Sequence, residues 1–178
     1  MRRFRRTYQW KLLGLAVLIV LLVARWRGWL PDGEYKASTS NGAGLAPGVY
    51  EVERVVDGDT LLLRGHNRLR LQGIDCPEIA HDDQPGEPLG PDATTFAQIF
   101  IRDSDHRVRI EVDGEGADHY GRWLGFVWSG DRMLNEELVR AGLARAMLRY
   151  DYGQPKKDRL RRAQLDAQRA GRGLWSVE

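Results

Sequence analysis

Two tight turns within residues 48–75 limit how this chain can fold. The turns, at residues 57–59 and 65–67, contain glycine and separate three short runs rich in apolar and β-branched residues. Such short connections favour neighbouring strands that run in opposite directions. We predict strands over residues 49–56, 60–64 and 68–74. If the second and third strands pair as a hairpin, Asp59 and Asp75 meet at its open end.

The rest of the chain contains helical and strand patterns without a βαβ repeat. Residues 91–102 and 155–169 have helical patterns, and we expect Asn135 to cap a shorter helix between them. Further strands are predicted over residues 107–112 and 124–128. Five short strands with three interposed helices predict the α+β class and a small antiparallel barrel.

Charge is divided unevenly along the chain. All 25 acidic residues follow position 31, whereas seven of the 27 basic residues precede it. Residues 32–178 therefore combine 20 basic with 25 acidic residues, a net charge of −5. A protein that holds nucleic acid mainly by neutralising phosphates should be basic. Binding nucleic acid would thus require locally focused basic residues or a bound cation.

The basic N-terminus carries an uncharged run of 13 residues at positions 12–24. This length is typical of a signal-peptide core and is short for a spanning helix. No small-residue cleavage site follows the run, and Trp10 and Trp26 flank it as interfacial aromatics do. We predict an uncleaved signal anchor over residues 1–30. A cleaved signal and a buried or peripheral helix are the alternatives.

A linker rich in Gly, Ser and Pro is predicted over residues 31–47, and the globular domain over residues 48–178. More positive charge precedes the apolar run than follows it. The positive-inside rule then places the domain outside the cytoplasm, either periplasmic or extracellular and anchored to the membrane. A cleaved signal would instead give a secreted protein.

Acidic residues gather at the open end of the predicted hairpin. Asp57 and Asp59 stand on either side of Gly58, and Asp75 ends the third strand. Two carboxylates and a backbone carbonyl form an oxygen donor set without thiolate or histidine. Such a set suits Ca²⁺ or Mg²⁺ rather than zinc. The simpler interpretation is that Asp57 and Asp59 only form an Asx-turn.

Two arginines and a glutamate are further candidates for chemistry. Strand alternation puts Arg70 and Asp75 on opposite faces, unless the strand bends or bulges between them. Glu78 enters a polar loop, where it could act as a general base on water. Arg122 begins a strand, and guanidinium groups match the oxygens of a phosphoryl transition state. Taken singly, each also suits a solvated surface, with Arg122 in an ion pair with Asp118.

Together these stretches closely resemble the thermonuclease family, also called the staphylococcal nuclease-like family. The resemblance covers residues 48–176, nearly the whole predicted domain. It is carried by the order and spacing of Val56-Asp57-Gly58-Asp59-Thr60, Arg68-Leu69-Arg70-Leu71-Gln72-Gly73-Ile74-Asp75-Cys76-Pro77-Glu78, Gly90-Pro91-Asp92-Ala93, Asp118-His119-Tyr120-Gly121-Arg122, Asn135-Glu136-Glu137-Leu138-Val139 and Gly173-Leu174-Trp175-Ser176.

The resemblance implies a five-stranded OB-type β-barrel with three helices. It also implies a Ca²⁺-dependent endonuclease that acts on DNA and RNA, prefers single strands and leaves 3′-phosphate ends. The implied metal ligands are Asp59, Asp75 and the main-chain carbonyl of Cys76. The implied catalytic residues are Glu78, which positions or deprotonates water, and Arg70 and Arg122, which stabilise the phosphorus centre.

Some positions depart from the family pattern. Cys76 replaces a threonine, which a main-chain ligand tolerates, and this single cysteine excludes an internal disulfide. The resemblance implies substrate-binding roles for Tyr120 and Tyr150, but Leu148 replaces another tyrosine and His119 a nucleotide-contacting lysine. Losing an aromatic stacking partner costs roughly 1–3 kcal/mol per base. We therefore expect weaker substrate binding, at His119 as well, with the reaction intact.

Two other functions remain open. One is a catalytically weak OB-type module that binds nucleic acid or protein, and the other is an envelope protein that uses the barrel as a scaffold. Domains that lose catalysis usually lose members of the acid and arginine set. The presence of Arg70, Glu78 and Arg122 argues against both alternatives. We expect a monomer.

Overall fold

The computed structural model describes residues 45–80, 85–114 and 116–176. The predicted anchor over residues 1–30 lies outside this part of the chain, as does the predicted linker apart from residues 45–47. No helix in the described residues has both the length and the apolar character needed to cross a membrane.

Eight strands and three α-helices make up the described part of the chain. In chain order the strands are β1 (Gly48–Val55), β2 (Thr60–Leu63), β3 (Asn67–Leu71), β4 (Ile74–Asp75), β5 (Arg107–Glu111), β6 (Trp123–Ser129), β7 (Arg132–Met133) and β8 (Arg145–Ala146). The helices are α1 (Gly90–Asp103), α2 (Leu134–Arg140) and α3 (Gln154–Arg169), followed by a short 3₁₀ helix, Gly173–Trp175.

The five longest strands close into a barrel, as predicted. Strands β3, β2, β1, β5 and β6 are neighbours in that order, and β3 also pairs with β6. The closing pair is parallel, with Arg70 opposite Leu124, whereas the other four pairs are antiparallel. The barrel is therefore not antiparallel throughout, because β3 and β6 are joined by a long connection that includes α1.

Aliphatic and aromatic side chains fill the barrel and the space under the helices. Leu61, Leu69, Ile110 and Phe126 point inward from four strands and are fully buried. Each such side chain contributes about 1.5–3 kcal/mol through removal from water. The strand ends that carry the polar candidate residues are thus fixed to a close-packed core.

The predicted third strand is interrupted before its end. β3 stops at Leu71, and the next two residues turn through Gly73, whose φ is +78°. A Cβ at Gly73 would lie 2.9 Å from the Tyr152 ring, so glycine is required for space as well as conformation. The following segment, β4, pairs with β8 and not with β2. Strand alternation alone would put Arg70 and Asp75 on opposite faces of the strand. The break at Gly73 is the bend that allows the two side chains to meet.

The prediction that Asn135 caps a helix is wrong. α2 begins at Leu134, one residue before Asn135, with Met133 at its N-cap position and no side-chain capping bond. Asn135 is fully buried, accepts a hydrogen bond from the Val127 N–H at 3.0 Å and donates one to the Gln72 carbonyl at 2.9 Å. Its amide therefore ties β6 to Gln72, the residue after β3, because the buried Val127 N–H and Gln72 carbonyl require partners there.

Candidate active site

Asp59, Arg70 and Asp75 form one cluster at the open end of the β2–β3 hairpin. The hairpin register places Thr60 opposite Arg70, so Asp59 lies one residue beyond it. Arg70 forms ion pairs with Asp59 and with Asp75, the latter at 2.8 Å between Nη2 and Oδ1. The predicted approach of the two aspartates is therefore observed, with Arg70 between them.

Asp57 supports this cluster through the turn that precedes β2. Its Oδ1 accepts a hydrogen bond from the Asp59 N–H at 3.0 Å, which is the Asx-turn that the simpler interpretation required. Burial raises the pKa of Asp57, although a hydrogen bond with Thr60 and the positive charges of Arg70 and Arg122 act in the opposite direction. Asp59, in contrast, serves the cluster as well as the turn.

The main chain at Cys76 is tied directly to Asp59. The Cys76 N–H donates to Asp59 Oδ2 at 2.8 Å, and Asp59 is only 5% exposed. The Cys76 thiol is also buried, where a Cβ added at Gly58 would lie 3.0 Å from its Sγ, and this burial raises its pKa to about 12. The side chain is therefore a protonated packing group, and only its backbone carbonyl suits a hard cation.

The donor chemistry at this cluster fits calcium. Asp59 and Asp75 share the Arg70 guanidinium, so their carboxylates lie close together. Residues 45–80, 85–114 and 116–176 contain no group of three His, Cys, Asp or Glu side chains that could hold a metal ion. The predicted set has only two such side chains plus a carbonyl, so its assignment stays a prediction.

Arg122 is held in place by Asp118. Asp118 Oδ1 accepts the main-chain N–H groups of Tyr120 and Arg122, both at 2.9 Å, and Oδ2 accepts the Arg122 Nε–H at 2.8 Å. Burial alone would raise the pKa of Asp118, but these bonds to Arg122 lower it below its usual value. The predicted ion pair thus exists, and its effect is to orient the guanidinium.

A groove of about 460 Å³ joins these groups on one face of the protein. Its lining includes the predicted residues Arg70, Asp75, His119, Arg122 and Tyr150. The His119 ring lies 3.8 Å from that of Tyr120, which is 74% exposed at the rim. Leu148 instead packs against the core, so it offers no surface for stacking. The structure therefore brings together both arginines, one aspartate and the substrate-side aromatics.

Glu78 does not line this groove. Its side chain is exposed, its N–H donates to Glu87 Oε2 at 3.1 Å, and its carbonyl accepts the Glu87 N–H at 2.8 Å. A neighbouring depression of about 590 Å³ is lined by Asp75, Pro77 and Glu87, again without Glu78. Residues 81–84 of the adjoining loop lie outside the described part of the chain. The catalytic assignment of Glu78 stays a prediction.

Three of the basic residues of α3 are occupied by ion pairs. Lys156 contacts Glu111 at 2.7 Å, Arg161 contacts Asp158 at 2.6 Å, and the Arg159 Nε–H donates to Glu136 at 2.6 Å. These contacts favour an ordinary salt-bridged helix surface over a path that guides nucleic acid.

One groove residue was missed by the sequence analysis. Arg149 is exposed and lines the groove beside Tyr150. Its guanidinium carbon lies 5.2 Å from the centre of the Tyr150 ring. The signal was available, because an arginine adjacent to a predicted substrate-side tyrosine belongs to the same short segment.

A closed five-stranded barrel with a charged groove at its side belongs to the OB-fold class. Residues 68–177 match the family described as Staphylococcal nuclease homologue. A thermonuclease from Staphylococcus intermedius is 36% identical over 90% of this chain and 93% of its own length. A thermonuclease from Staphylococcus hyicus is 32% identical over 91% and 95%, respectively. Endonuclease YncB of Bacillus subtilis is 26% identical over 70% of this chain and 60% of its own length. The chain belongs to the staphylococcal nuclease homologue family.

Proposed function

We propose that the protein is a calcium-dependent, sugar-non-specific endonuclease that hydrolyses DNA and RNA and leaves 3′-phosphate ends. Its family membership makes it a nuclease hydrolase. The observation that carries the proposal is the shared groove, in which Arg70 of β3 and Arg122, immediately before β6, lie beside Asp75. Two guanidinium groups within one cleft suit the negative charge that gathers on a phosphoryl centre during attack.

The two arginines bind and orient the scissile phosphodiester. Asp118 fixes the Arg122 guanidinium, and the two aspartates fix that of Arg70, so little side-chain freedom is lost when a phosphate binds. A guanidinium fork also donates two parallel hydrogen bonds to phosphate oxygens. The arginines are thus positioned before the substrate arrives.

Asp59, Asp75 and the Cys76 carbonyl would hold the calcium ion. When bound, Ca²⁺ supplies Lewis-acid polarisation of a phosphate oxygen. Asp59 is almost fully buried, and carboxylate oxygens in such a setting favour a hard, divalent partner. Removing either carboxylate would leave a donor set too weak for Ca²⁺.

Glu78 positions the attacking water and accepts its proton. The water oxygen forms a new bond to phosphorus and the bond from phosphorus to the 5′-oxygen breaks. The leaving 5′-oxygen takes up a proton from solvent and departs as a hydroxyl. The support for this role is that Glu78 follows Asp75 by three residues and has an exposed side chain that water can reach.

The exposed aromatics support a preference for single strands. Tyr120 and Tyr150 are 74% and 50% exposed, and unpaired bases stack on such rings. We further propose that the enzyme acts as a monomer outside the cytoplasm, held by the N-terminal anchor. That placement is supported by the charge asymmetry of residues 1–30.

Cleavage of a single-stranded DNA oligonucleotide by the full-length protein tests this function. We expect cleavage with Ca²⁺, none with EDTA, and products with 3′-phosphate ends. Glu78→Gln should lower turnover about 10²–10⁴-fold. Glu53→Gln, in an exposed glutamate of β1, is the control and should cleave normally. Binding without cleavage by the wild-type protein would reject the enzyme and favour a binding module.

A further inference from the structure

We propose that Arg149 is a substrate-binding residue that contacts the phosphate of a nucleotide flanking the scissile bond. This inference rests on the proposed function of the groove, because it assigns one more residue to that function. In the family pattern a lysine stands at the position of His119, and we expect weaker phosphate binding there in this chain. Arg149 would supply a positive charge in the same groove.

The position of Arg149 is the first reason. It lines the same groove as Arg70 and Arg122. Arg70 lies in β3 and Arg122 immediately before β6, whereas Arg149 follows β8. Its side chain is exposed, so a polyanion can reach it without disturbing the core. A phosphate next to the one bound by the two catalytic arginines would meet this guanidinium.

Its charge is the second reason. Arg70 is paired with two aspartates and Arg122 with Asp118. Among the described residues, no carboxylate forms an ion pair with Arg149. Arg149 is thus a groove cation without an ion-pair partner among the described residues, in a domain whose net charge is negative. Nucleic-acid binding by such a domain requires a locally focused cation of this kind.

Its contact with Tyr150 is the third reason. The Arg149 Nη2 donates to the Tyr150 hydroxyl at 3.4 Å, and the guanidinium lies over the ring. This contact restricts a long side chain that would otherwise be mobile. The pair therefore presents a cation and an exposed aromatic surface together, which matches the phosphate and base of one nucleotide.

The test is binding of a fluorescent single-stranded DNA 12-mer by the full-length protein in EDTA, where no cleavage occurs. We expect Arg149→Ala to weaken binding about tenfold, as the loss of a charge-assisted hydrogen bond does. The slope of log K against log[salt] should fall by about 0.7, which corresponds to one fewer phosphate contact on a single strand. Arg149→Lys should keep most of this slope. Arg162→Ala, in an exposed arginine of α3, should change neither quantity.

Cleavage with Ca²⁺ separates this inference from the proposed function. Arg149→Ala should raise KM and leave kcat near the wild-type value. Wild-type affinity and salt slope in Arg149→Ala would overturn the inference even if the protein is an active nuclease. If the wild-type protein binds but does not cleave, the proposed catalysis fails, and a weaker-binding Arg149→Ala variant would still support the contact.

Discussion

The groove has two walls that are built in opposite ways. Its barrel wall includes Arg70 and Asp75, which form an ion pair, and Arg70 is also paired with the buried Asp59. Its loop wall includes His119, Arg149 and Tyr150. The His119 ring lies against the exposed Tyr120, and the Arg149 guanidinium contacts the Tyr150 ring.

The difference follows from what each wall must do. Charged groups that stabilise a transition state lose effect when displaced by about 1 Å, so they require neighbours that fix them. Base stacking tolerates every base and many orientations, so exposed rings are sufficient. Substitutions in the barrel wall should therefore affect turnover and stability, whereas those in the loop wall should affect substrate binding.

Arg70→Gln should have the largest effect. It removes a donor to the phosphate and leaves the buried Asp59 charge without its partner, so turnover should fall about 10²–10³-fold. Steady-state cleavage of single-stranded DNA measures this loss. Arg68→Gln, in an exposed arginine on the same strand, is the matched control. Equal turnover for both variants would show that Arg70 does not stabilise the transition state, and would contradict the role assigned to the barrel wall.

Asn135→Ala should lower the stability of the strands that support the barrel wall. The substitution leaves the buried Val127 N–H and Gln72 carbonyl without their partner, which should lower the free energy of unfolding by about 2–4 kcal/mol. Urea unfolding measures the change. Asn67→Ala is the control, because the only side-chain hydrogen bond that Asn67 makes within the described residues is a long one, to the Gly65 carbonyl at 3.4 Å. Similar midpoints for the two variants would contradict the role assigned to Asn135.

Tyr120→Ala should affect binding alone. Its ring is mostly exposed, so the free energy of unfolding should change little, while loss of stacking should weaken substrate binding by roughly 1–3 kcal/mol. The measurement is KM and kcat on the same oligonucleotide, with thermal unfolding alongside. A fall in kcat at unchanged KM would place Tyr120 with the barrel wall instead.

Asp118→Asn should have the smallest effect, and that effect should depend on pH. The hydrogen bonds from Arg122 hold the folded-state pKa of Asp118 below its usual value, so its stabilising contribution is complete above that usual value. As pH falls through the lowered folded pKa, the aspartate is protonated and the contribution is lost. The variant should be less stable by about 1 kcal/mol at pH 7. The difference in urea midpoint should narrow toward pH 3, and a constant difference would disprove the linkage.

Much of the barrel wall could be predicted from local sequence. Turn residues at 57–59 and 65–67 specify the hairpin, and the hairpin register brings Asp59 next to Arg70. The break at Gly73 could not be predicted, because it depends on the Tyr152 ring, which packs there from a distant part of the chain. The same limit applies to Asn135, whose partners belong to other elements.

The loop wall was harder to predict because its residues follow no repeating pattern. Tyr120 and Tyr150 were identified only through family resemblance, and Arg149 was missed because no regular spacing marks a surface arginine as part of a groove. Glu78 shows the converse limit. Its motif predicts a catalytic role, but the described residues place it outside the groove.

The parallel pairing of β3 with β6 also determines when activity can first arise during folding. Leu69 pairs with Trp123, so the barrel closes only after a long intervening segment has been ordered. Contacts between such distant residues form late and slowly. Arg70 precedes this junction and Arg122 lies immediately before β6, so the two arginines share a groove only once the barrel is closed. A partly synthesised chain that ends before β6 therefore cannot assemble this groove.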